Sequence, residues 1–237
     1  MAPVRFSAST WQQPVPAPAS AARGEMIARI AARVTALGAH RLRVGIDGFT
    51  ASGKTSLGHE LAERIGSLGR PVLRASLDDF KKPWRDRHLY DRESGEGYYR
   101  NAFDYPAARR LLLEPAGPRG SGRCVLCGID PLTQVDHSAV VTTAEPDAVL
   151  IVDGVFALRP ELIGYWDLRV WVDVPAETSV RRGAARDQDW AGSAAESIHR
   201  DRYLPAERIH LAEADPIGLA DVVVDNSDFA APRLVRG

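Results

Sequence analysis

The residues with the clearest chemical potential lie in one glycine-rich segment of the chain. Residues 48–55 read G-F-T-A-S-G-K-T, which matches the phosphate-loop pattern G-x-x-x-x-G-K-[ST]. In such a loop the glycines let successive backbone N–H groups face an anion, and the helix that follows adds its positive end. We therefore expect this segment to bind the phosphates of a nucleotide. The residues assigned to that role are Gly48, Ala51, Ser52, Gly53, Lys54, Thr55 and Ser56.

Two oxygen-bearing side chains are placed to hold a magnesium ion beside those phosphates. Lys54 can reach the β- and γ-phosphates, and the hydroxyl of Thr55 can join the shell of Mg²⁺. The apolar run 148–152 ends in Asp153-Gly154, so the Asp153 carboxylate lies at the end of a predicted strand and faces the loop. Taken alone, Asp153 is also typical of a cap on the following turn. With the phosphate loop present, we assign Thr55 and Asp153 to the metal.

A second predicted strand ends in carboxylates that suit phosphoryl transfer to a hydroxyl group. The run 72–76 is followed by Leu-Asp78-Asp79-Phe80. A kinase that acts on a small molecule needs a base at this place to take the proton of the acceptor hydroxyl. A helix N-cap at Asp78 or Asp79 is the alternative interpretation. A guanine-specific switch is disfavoured, because Asn226-Ser-Asp228 lacks the lysine and the spacing of the signature Asn-Lys-x-Asp.

Apolar runs and helical stripes alternate along the chain and must position these groups. The apolar spacing over 21–37 and 54–68 predicts helices. About five parallel strands are predicted at 42–46, 72–76, 148–152, 168–174 and 221–225. The predicted fold class is therefore α/β, a three-layer α/β/α sheet of the P-loop NTPase type.

The remaining segments are less regular. We expect a flexible or loosely docked arm over 1–20, which is rich in Pro, Ala and Ser, and a single domain over 21–237. The region of about 81–147 is interpreted as an insertion that carries a possible hairpin, at 123–129 and 139–143. Within it, the stretch 90–100 is either a mobile lid over the substrate or a solvated loop.

Composition excludes several classes of protein. The 237 residues carry 30 Lys and Arg against 31 Asp and Glu, so no global positive field recruits nucleic acid or an anionic membrane. No apolar run approaches the ~20 residues of a membrane span, and the start lacks the order of a signal peptide, so we expect a cytoplasmic protein. Cys124 and Cys127 have the CxxC spacing without a second pair, and we interpret them as ordinary semi-buried thiols.

From about Arg41 to Asn226 the chain resembles the uridine kinase and phosphoribulokinase group of P-loop kinases. The more specific matches are 45–56, the Ser-Leu-Asp-Asp-Phe of 76–80 and the Asn-Ala-Phe-Asp-Tyr-Pro of 101–106. The looser matches are Ile129-Asp130, which resembles the Tyr-Asp of the substrate hairpin, the Arg-rich lid at 182–187 and the closing strand at 216–226.

The resemblance implies transfer of the γ-phosphoryl group of ATP, with Mg²⁺, to the 5'-hydroxyl of a pyrimidine nucleoside. It implies Asp78 as the base, Asp104 on the ribose hydroxyls and Phe103 against the nucleoside base. Phe80 and Asp130 complete the implied substrate contacts. Lys54, Arg182 and Arg186 are implied to neutralise the charge of the transferring group, although a solvated basic face paired with Glu177 or Asp187 is the alternative for the two arginines. The group is often homo-oligomeric, and nothing in the sequence marks an interface.

The chain also departs from that group, and two other interpretations stay open. Lys81 stands where uridine kinases commonly have Tyr, Tyr105 replaces a His, and the hairpin lacks the usual His and Tyr. A positive charge beside Asp78 suits an acceptor that carries a phosphate or carboxylate, such as a sugar phosphate or pantothenate. The other interpretation is a regulator that binds ATP without an acceptor, in which Asp78 and Asp104 are structural caps.

Overall fold

The computed structural model describes residues 2–11, 20–87 and 89–237. The strands are β1 Val4–Phe6, β2 Leu42–Gly48, β3 Val72–Ser76, β4 Arg123–Val125, β5 Val141–Thr143, β6 Val149–Asp153, β7 Leu168–Asp173, β8 Val222–Asp225 and β9 Arg233–Arg236. The helices are α1 Ala21–Ala36, α2 Lys54–Ser67, α3 Gly95–Asn101, α4 Tyr105–Ala107, α5 Ala176–Ala191, α6 Ala195–Ile198, α7 Leu204–Ala214 and α8 Pro216–Leu219. Short 3₁₀ turns lie at Leu77–Phe80, Trp84–Asp86, Ile163–Tyr165 and Gly192–Ala194, and π-helical turns lie at Ala108–Leu113 and His199–Tyr203.

The central sheet has the order β1-β3-β6-β2-β7-β8-β9, and all of its pairings are parallel except that of β8 with β9. The five predicted strands form its centre, and the predicted three-layer class is confirmed. Within the described residues the sheet has seven strands, two more than predicted. The sequence missed β1 and β9 because these edge strands are three and four residues long and are largely exposed.

Two apolar clusters fill the two faces of this sheet, as the near-continuous apolar strands require. On one face, α1 and α2 pack their helical stripes on the sheet, and Leu57, Leu61 and Ile65 of α2 are fully buried there. On the other face, aromatic and aliphatic side chains from the middle of the chain cover the sheet, among them Tyr99 and Phe156. No helix among the described residues is long and apolar enough to cross a membrane.

The beginning of the chain is bound to the sheet where a loosely docked arm was expected. β1 extends the sheet beside β3, and the backbone N–H of Ser7 donates to the carbonyl of Arg74. Beyond β1, the backbone N–H and the hydroxyl of Thr10 both donate to Asp130. An open edge of β3 therefore gives this segment backbone partners that its composition does not reveal. The part of the expected arm at 12–19 lies outside the described residues, and the domain boundary at 21 stays a prediction.

The expected insertion contains a small antiparallel pair, β4 with β5, in which Cys124 lies opposite Thr142. Cys124 and Cys127 are buried and unpaired. Burial raises the pKa of Cys124 to about 11, and burial raises the pKa of Cys127 as well. Both thiols therefore stay protonated at neutral pH, which agrees with their interpretation as ordinary core residues.

Asp130 joins the start of the chain to the loop after β4, and its loss should destabilise the fold. Its buried carboxylate accepts from the N–H of Thr10 at 2.6 Å and from the N–H groups of Leu132 and Thr133 at 2.9 and 2.8 Å. Burial favours the neutral acid, but these donors hold the pKa of Asp130 well below its usual range. We expect Asp130→Asn to lower the free energy of unfolding by about 2 kcal/mol at pH 7.

Urea denaturation at several pH values measures this loss. The pKa of Asp130 is lower in the folded chain than in the unfolded chain, where it is about 4, so the ionised side chain stabilises the fold above pH 4. This stabilisation is lost as the pH falls below about 4. The difference in the free energy of unfolding between wild type and variant should therefore shrink there. Asp189→Asn is the control, because Asp189 is exposed on α5 and its replacement should change stability by less than about 0.5 kcal/mol. A deficit that is equal at pH 3 and pH 7 would contradict the assignment.

Candidate active site

The predicted phosphate loop connects the end of β2 with the start of α2, as the motif requires. Gly48 and Gly53 have φ values of +148° and +97°, and Ala51 also has a positive φ of 57°. A Cβ at Gly53 would lie 2.4 Å from the side-chain nitrogen of Asn226, so both conformation and space call for glycine there. Gly48 and Ser52, which belong to the loop, are buried.

Side chains from three other parts of the fold fix the loop. Glu207 of α7 accepts from the N–H of Thr50 and, at 2.7 Å, from its hydroxyl, and Ser179 of α5 donates to the carbonyl of Thr50 at 2.6 Å. The side-chain amide of Asn226, just after β8, donates to the carbonyl of Ser52 at 2.6 Å. The loop is therefore held in its curled form before any ligand binds. None of these braces was assigned from the sequence, because each lies far along the chain without a motif.

Asp47 fixes the base of the loop. This fully buried carboxylate accepts from the N–H groups of Phe156 and Leu158 at 3.0 and 2.8 Å, and it also accepts from the N–H of Gly48 at 2.7 Å. It lies 2.8 Å from Nε2 of His210 in α7. A carboxylate inside the apolar run of β2 was the only sequence signal for this role.

Lys54 lies at the start of α2, buried beneath the loop, and its Nζ donates to the carbonyl of Phe49 at 2.7 Å. Burial lowers the pKa of Lys54 from its ordinary value. Nearby carboxylates oppose this effect: Glu207, Asp47, Asp153 and Asp78. The ammonium group is therefore surrounded by acidic side chains at the loop, where a polyphosphate would bring further negative charge.

Thr55 and Asp153 meet in the structure as the sequence predicted. The hydroxyl of Thr55 donates to Oδ2 of Asp153 at 2.5 Å, and Nη2 of Arg74 donates to Oδ1 of the same carboxylate at 2.6 Å. Arg74 and Asp153 are both buried. Arg74 also lies against Gly58 of α2, where an added Cβ would come within 2.4 Å of the guanidinium. Arg74 was missed, although an arginine in the middle of the apolar run of β3 was a visible signal.

This oxygen pair suits a magnesium ion. Mg²⁺ prefers hard oxygen ligands and is commonly held by one or two protein groups together with waters and phosphate oxygens. Thr55 and Asp153 are such donors, and both line the same cleft as Lys54. Among the described residues no group of three or more His, Cys, Asp or Glu could hold a metal by itself. The donor set therefore fits a cation that is shared with a phosphate ligand.

Asp78 lies just beyond β3, in the 3₁₀ turn Leu77–Phe80, with its side chain 24% exposed. Burial favours its neutral form, but Lys81 at 2.7 Å, with Lys54 and Arg186 beyond it, holds the pKa of Asp78 below its usual range. Ser76 caps the turn by accepting from the N–H of Asp78, so the alternative of an N-cap at Asp78 is not what the structure contains. Asp78 therefore presents an ionised carboxylate to the cleft at neutral pH.

A cleft of about 960 Å³ brings most of the predicted residues together. Its lining includes five residues of the phosphate loop and the start of α2: Ala51, Gly53, Lys54, Thr55 and Ser56. Asp78, Asp153, Arg182 and Arg186 also line it. The ends of β2, β3 and β6 thus converge on one space, as expected where parallel strands end at the same edge of a sheet.

Arg182 and Arg186 lie one helical turn apart on α5 and are bonded to protein groups. Arg182 donates to the carbonyls of Asn226 and Ser227, at 3.0 and 2.7 Å. Arg186 forms a two-pronged ion pair with Asp187 at 2.7 and 3.0 Å, and the imidazole of His199 lies 2.8 Å from the same carboxylate. The pairing with Asp187 that the sequence offered as an alternative is therefore present for Arg186, although both arginines face the cleft.

The structure does not bring four of the predicted substrate residues into the cleft. Phe80 and Phe103 are buried in an apolar cluster, 2% and 3% exposed. Asp104 caps α4 by accepting from the N–H of Ala107 at 2.9 Å, and Asp130 accepts the bonds described above. None of the four is among the described residues that line the cleft. A short motif shows which residue types are present, but not which side chains face the space.

No family model matches this chain. Among proteins of assigned function, a uridine kinase from Deinococcus deserti is 28% identical over 199 residues, which covers 81% of this chain and 90% of that protein. A uridine kinase from Staphylococcus haemolyticus is 26% identical over 183 residues, 76% of this chain and 86% of that protein. The resemblance to uridine kinases predicted from the sequence is confirmed by these similarities.

Solved structures share the fold. A possible uridine kinase from Bacillus stearothermophilus superposes with a TM-score of 0.66 at 24% identity, covering 84% of this chain and 97% of that chain. A D-glycerate 3-kinase from Cryptococcus neoformans gives a TM-score of 0.57 at 14% identity, covering 88% and 99%. Phosphoribulokinase from Rhodobacter spheroides gives 0.56 at 14% identity, covering 79% and 71%. The chain therefore has the P-loop kinase fold.

The charge on Asp78 depends on Lys81, and this dependence can be measured. In Lys81→Met, burial acts on Asp78 without the nearest cation, so the pKa of Asp78 should rise toward or above its ordinary value. Carboxyl ¹³C NMR titration of the wild type and the variant gives both values. Lys82→Met is the matched control, because the ammonium of Lys82 donates to Asn101 instead. An Asp78 pKa that is the same in Lys81→Met and in the wild type would refute the pairing.

Proposed function

We propose that this protein is a kinase that transfers the γ-phosphoryl group of ATP to a hydroxyl group of a small molecule, with Mg²⁺. One observation carries the proposal: an ionised carboxylate, Asp78, shares a single cleft with a complete phosphate loop and with the Thr55–Asp153 oxygen pair. A nucleotide-binding regulator has no need of such a carboxylate beside the loop. The similarity to uridine kinases over most of the chain supports the same class of reaction.

In this proposal the phosphate loop holds the nucleotide. Backbone N–H groups of 51–55 and the ammonium of Lys54 face the phosphates, and the braces on Thr50 and Ser52 keep those donors in place. Thr55 and Asp153 would hold Mg²⁺, which neutralises charge on the phosphates when it is bound. Arg74 keeps the Asp153 carboxylate oriented toward Thr55.

Asp78 acts as the general base for the acceptor. Its carboxylate accepts the proton of the acceptor hydroxyl as that oxygen bonds to the γ-phosphorus, while the bond from the γ-phosphorus to the bridging oxygen breaks and ADP leaves. The pKa of Asp78 lies below its usual range, so the base is available throughout neutral pH. Arg182 and Arg186 neutralise the negative charge spread over the transferring group, provided that Arg182 exchanges its carbonyl partners for phosphate oxygens.

Two classes of acceptor are candidates. The relatives named uridine kinase favour a pyrimidine nucleoside, phosphorylated at its 5'-hydroxyl. The side chains implied to contact a nucleoside, Phe103, Asp104 and Asp130, do not line the cleft. An acceptor with an anionic group is the second candidate, and the basic side chains around Asp78 favour it.

Asp78→Asn should abolish phosphoryl transfer and leave the nucleotide site intact. We expect kcat to fall by at least about 100-fold, because the general base is lost, while the affinity for ATP stays nearly unchanged. The measurement is ADP release with Mg²⁺-ATP across uridine, cytidine, other nucleosides, pantothenate and sugar phosphates, together with calorimetric titration of a non-hydrolysable ATP analogue.

Asp79→Asn is the matched control for this variant. Asp79 is the adjacent carboxylate, it is 1% exposed, and it does not line the cleft. Burial raises the pKa of Asp79 to about 7, so the wild-type side chain is already partly neutral and the amide is a mild replacement. Unchanged turnover in Asp78→Asn would reject Asp78 as the base. Nucleotide binding without ADP release for any acceptor would favour the regulator.

Lys54→Ala should remove transition-state stabilisation. By analogy with the loss of one preorganised donor, we expect the transition state to lose about 3 kcal/mol of stabilisation, so that kcat/KM falls on the order of 100-fold. Lys82→Ala is the control, since Lys82 does not line the cleft, and circular dichroism would verify that both variants are folded. Full activity in Lys54→Ala would reject the phosphate-loop assignment.

A further inference from the structure

The half of the cleft around Asp78 carries more positive charge than the proposed reaction uses. The basic side chains that line the cleft among the described residues are Lys54, Lys81, Arg87, Arg182, Arg186 and Arg202. The carboxylates in the same lining are Asp78, Asp153 and Asp187. Lys54, Arg182 and Arg186 are assigned to the nucleotide phosphates. This leaves Arg87 and Arg202 without a role in the reaction, and it leaves Lys81 with no role except its ion pair with Asp78.

Arg87 and Arg202 both have a buried nitrogen that lacks a hydrogen-bond partner. Arg87 donates from Nε to the carbonyl of Lys82 at 2.7 Å, but its Nη2 has no partner among the described residues. Arg202 pairs only loosely with the exposed Glu93, at 3.5 Å, and its Nε has no partner in the same part of the chain. An unsatisfied buried donor is costly, more so on a charged group. Two unpaired guanidinium nitrogens in one cleft indicate a binding site for a ligand that accepts hydrogen bonds.

Two of the three cations, Lys81 and Arg202, lie near one aromatic ring, and Arg87 lines the same cleft. The guanidinium carbon of Arg202 lies 5.2 Å from the centroid of Tyr98, and Nζ of Lys81 lies 5.7 Å from it. Burial lowers the pKa of Arg87, and the nearby charge of Arg202 lowers it further. Like charges held together in this way repel one another, and an anion bound between them would relieve the repulsion.

We propose that Lys81, Arg87 and Arg202 form a subsite for an anionic group of the acceptor, and that this group is a phosphate monoester. Two guanidinium groups and an ammonium match the double charge and the several oxygens of a phosphate better than one carboxylate. The subsite adjoins the base, because Lys81 lies 2.7 Å from Asp78. The acceptor is therefore a small phosphorylated polyol whose free hydroxyl lies at Asp78, an inference that rests on the proposed kinase activity.

Two measurements test this subsite. The first is ADP release with sugar phosphates, their unphosphorylated parent sugars, nucleosides and carboxylate acceptors, on the wild type, Arg87→Gln, Arg202→Gln and Arg202→Lys. The second is titration with inorganic phosphate, followed by NMR, while a non-hydrolysable ATP analogue saturates the phosphate loop. Arg92→Gln is the matched control, because Arg92 is 63% exposed and does not line the cleft.

We expect phosphorylated acceptors to stimulate ADP release and their neutral parents to fail. Each glutamine variant should raise the KM for the phosphorylated acceptor by about 10- to 100-fold, with the KM for ATP unchanged and partial recovery in Arg202→Lys. Inorganic phosphate should perturb the resonances of Tyr98 in the wild type but not in Arg202→Gln. Thermal melting identifies a variant that fails for lack of folding.

Failure of the subsite is distinguishable from failure of the kinase proposal. Stimulation by nucleosides or carboxylates alone, with no effect of the Arg87 and Arg202 changes, would overturn the subsite and leave the kinase standing. Phosphate binding at Arg202 without ADP release for any acceptor would support the anion site and reject the kinase. Absence of phosphate binding with the nucleotide site saturated would overturn the subsite directly.

Discussion

The buried ion pair between Arg74 and Asp153 is the interaction on which the arrangement of the cleft depends. It joins β3 to β6, and Arg74 also bonds the carbonyls of Ala75 and Ile151. Strand β3 also leads into the turn that carries Asp78, and the carboxylate of Asp153 accepts a hydrogen bond from the hydroxyl of Thr55. Removing one member of such a pair leaves an uncompensated charge, which costs about 3–5 kcal/mol. The positions of Asp78, of the Thr55 and Asp153 oxygens and of the start of α2 thus all depend on this ion pair.

Charge also separates the cleft into two halves. On the side of the phosphate loop, burial lowers the pKa of Lys54, and the carboxylates around it oppose this effect. On the other side, Arg87 and Arg202 line the cleft, and each has a buried nitrogen without a hydrogen-bond partner among the described residues. Lys81 stands at the boundary, bound to Asp78. The phosphate loop would hold a nucleotide through its backbone N–H groups and Lys54, and the basic half would hold an anionic acceptor, so the geometry favours two ligands over one.

The parts of the site that sequence reasoning predicted are those in which a local pattern fixes both the residue and its direction. The phosphate loop, Thr55, and the carboxylates Asp78 and Asp153 at strand ends are of this kind. Phe103 and Asp104 were assigned to substrate on a six-residue resemblance, yet packing and a helix cap orient them elsewhere. Arg87 and Arg202 lie far apart in the chain and reach the same cleft only through tertiary packing, so no sequence motif predicts their position. The edge strands β1 and β9 were not predicted, because backbone pairing, and not composition, creates them.

The contact between Gly58 and Arg74 limits how this sequence can vary. The guanidinium occupies the space that any side chain at position 58 would need, so a substitution there forces Arg74 away from Asp153 even though position 58 never touches a ligand. An acceptable change at 58 therefore requires a compensating change at 74. Across related chains an arginine at 74 should therefore occur together with glycine at 58, whereas glycine at 58 sets no requirement for position 74.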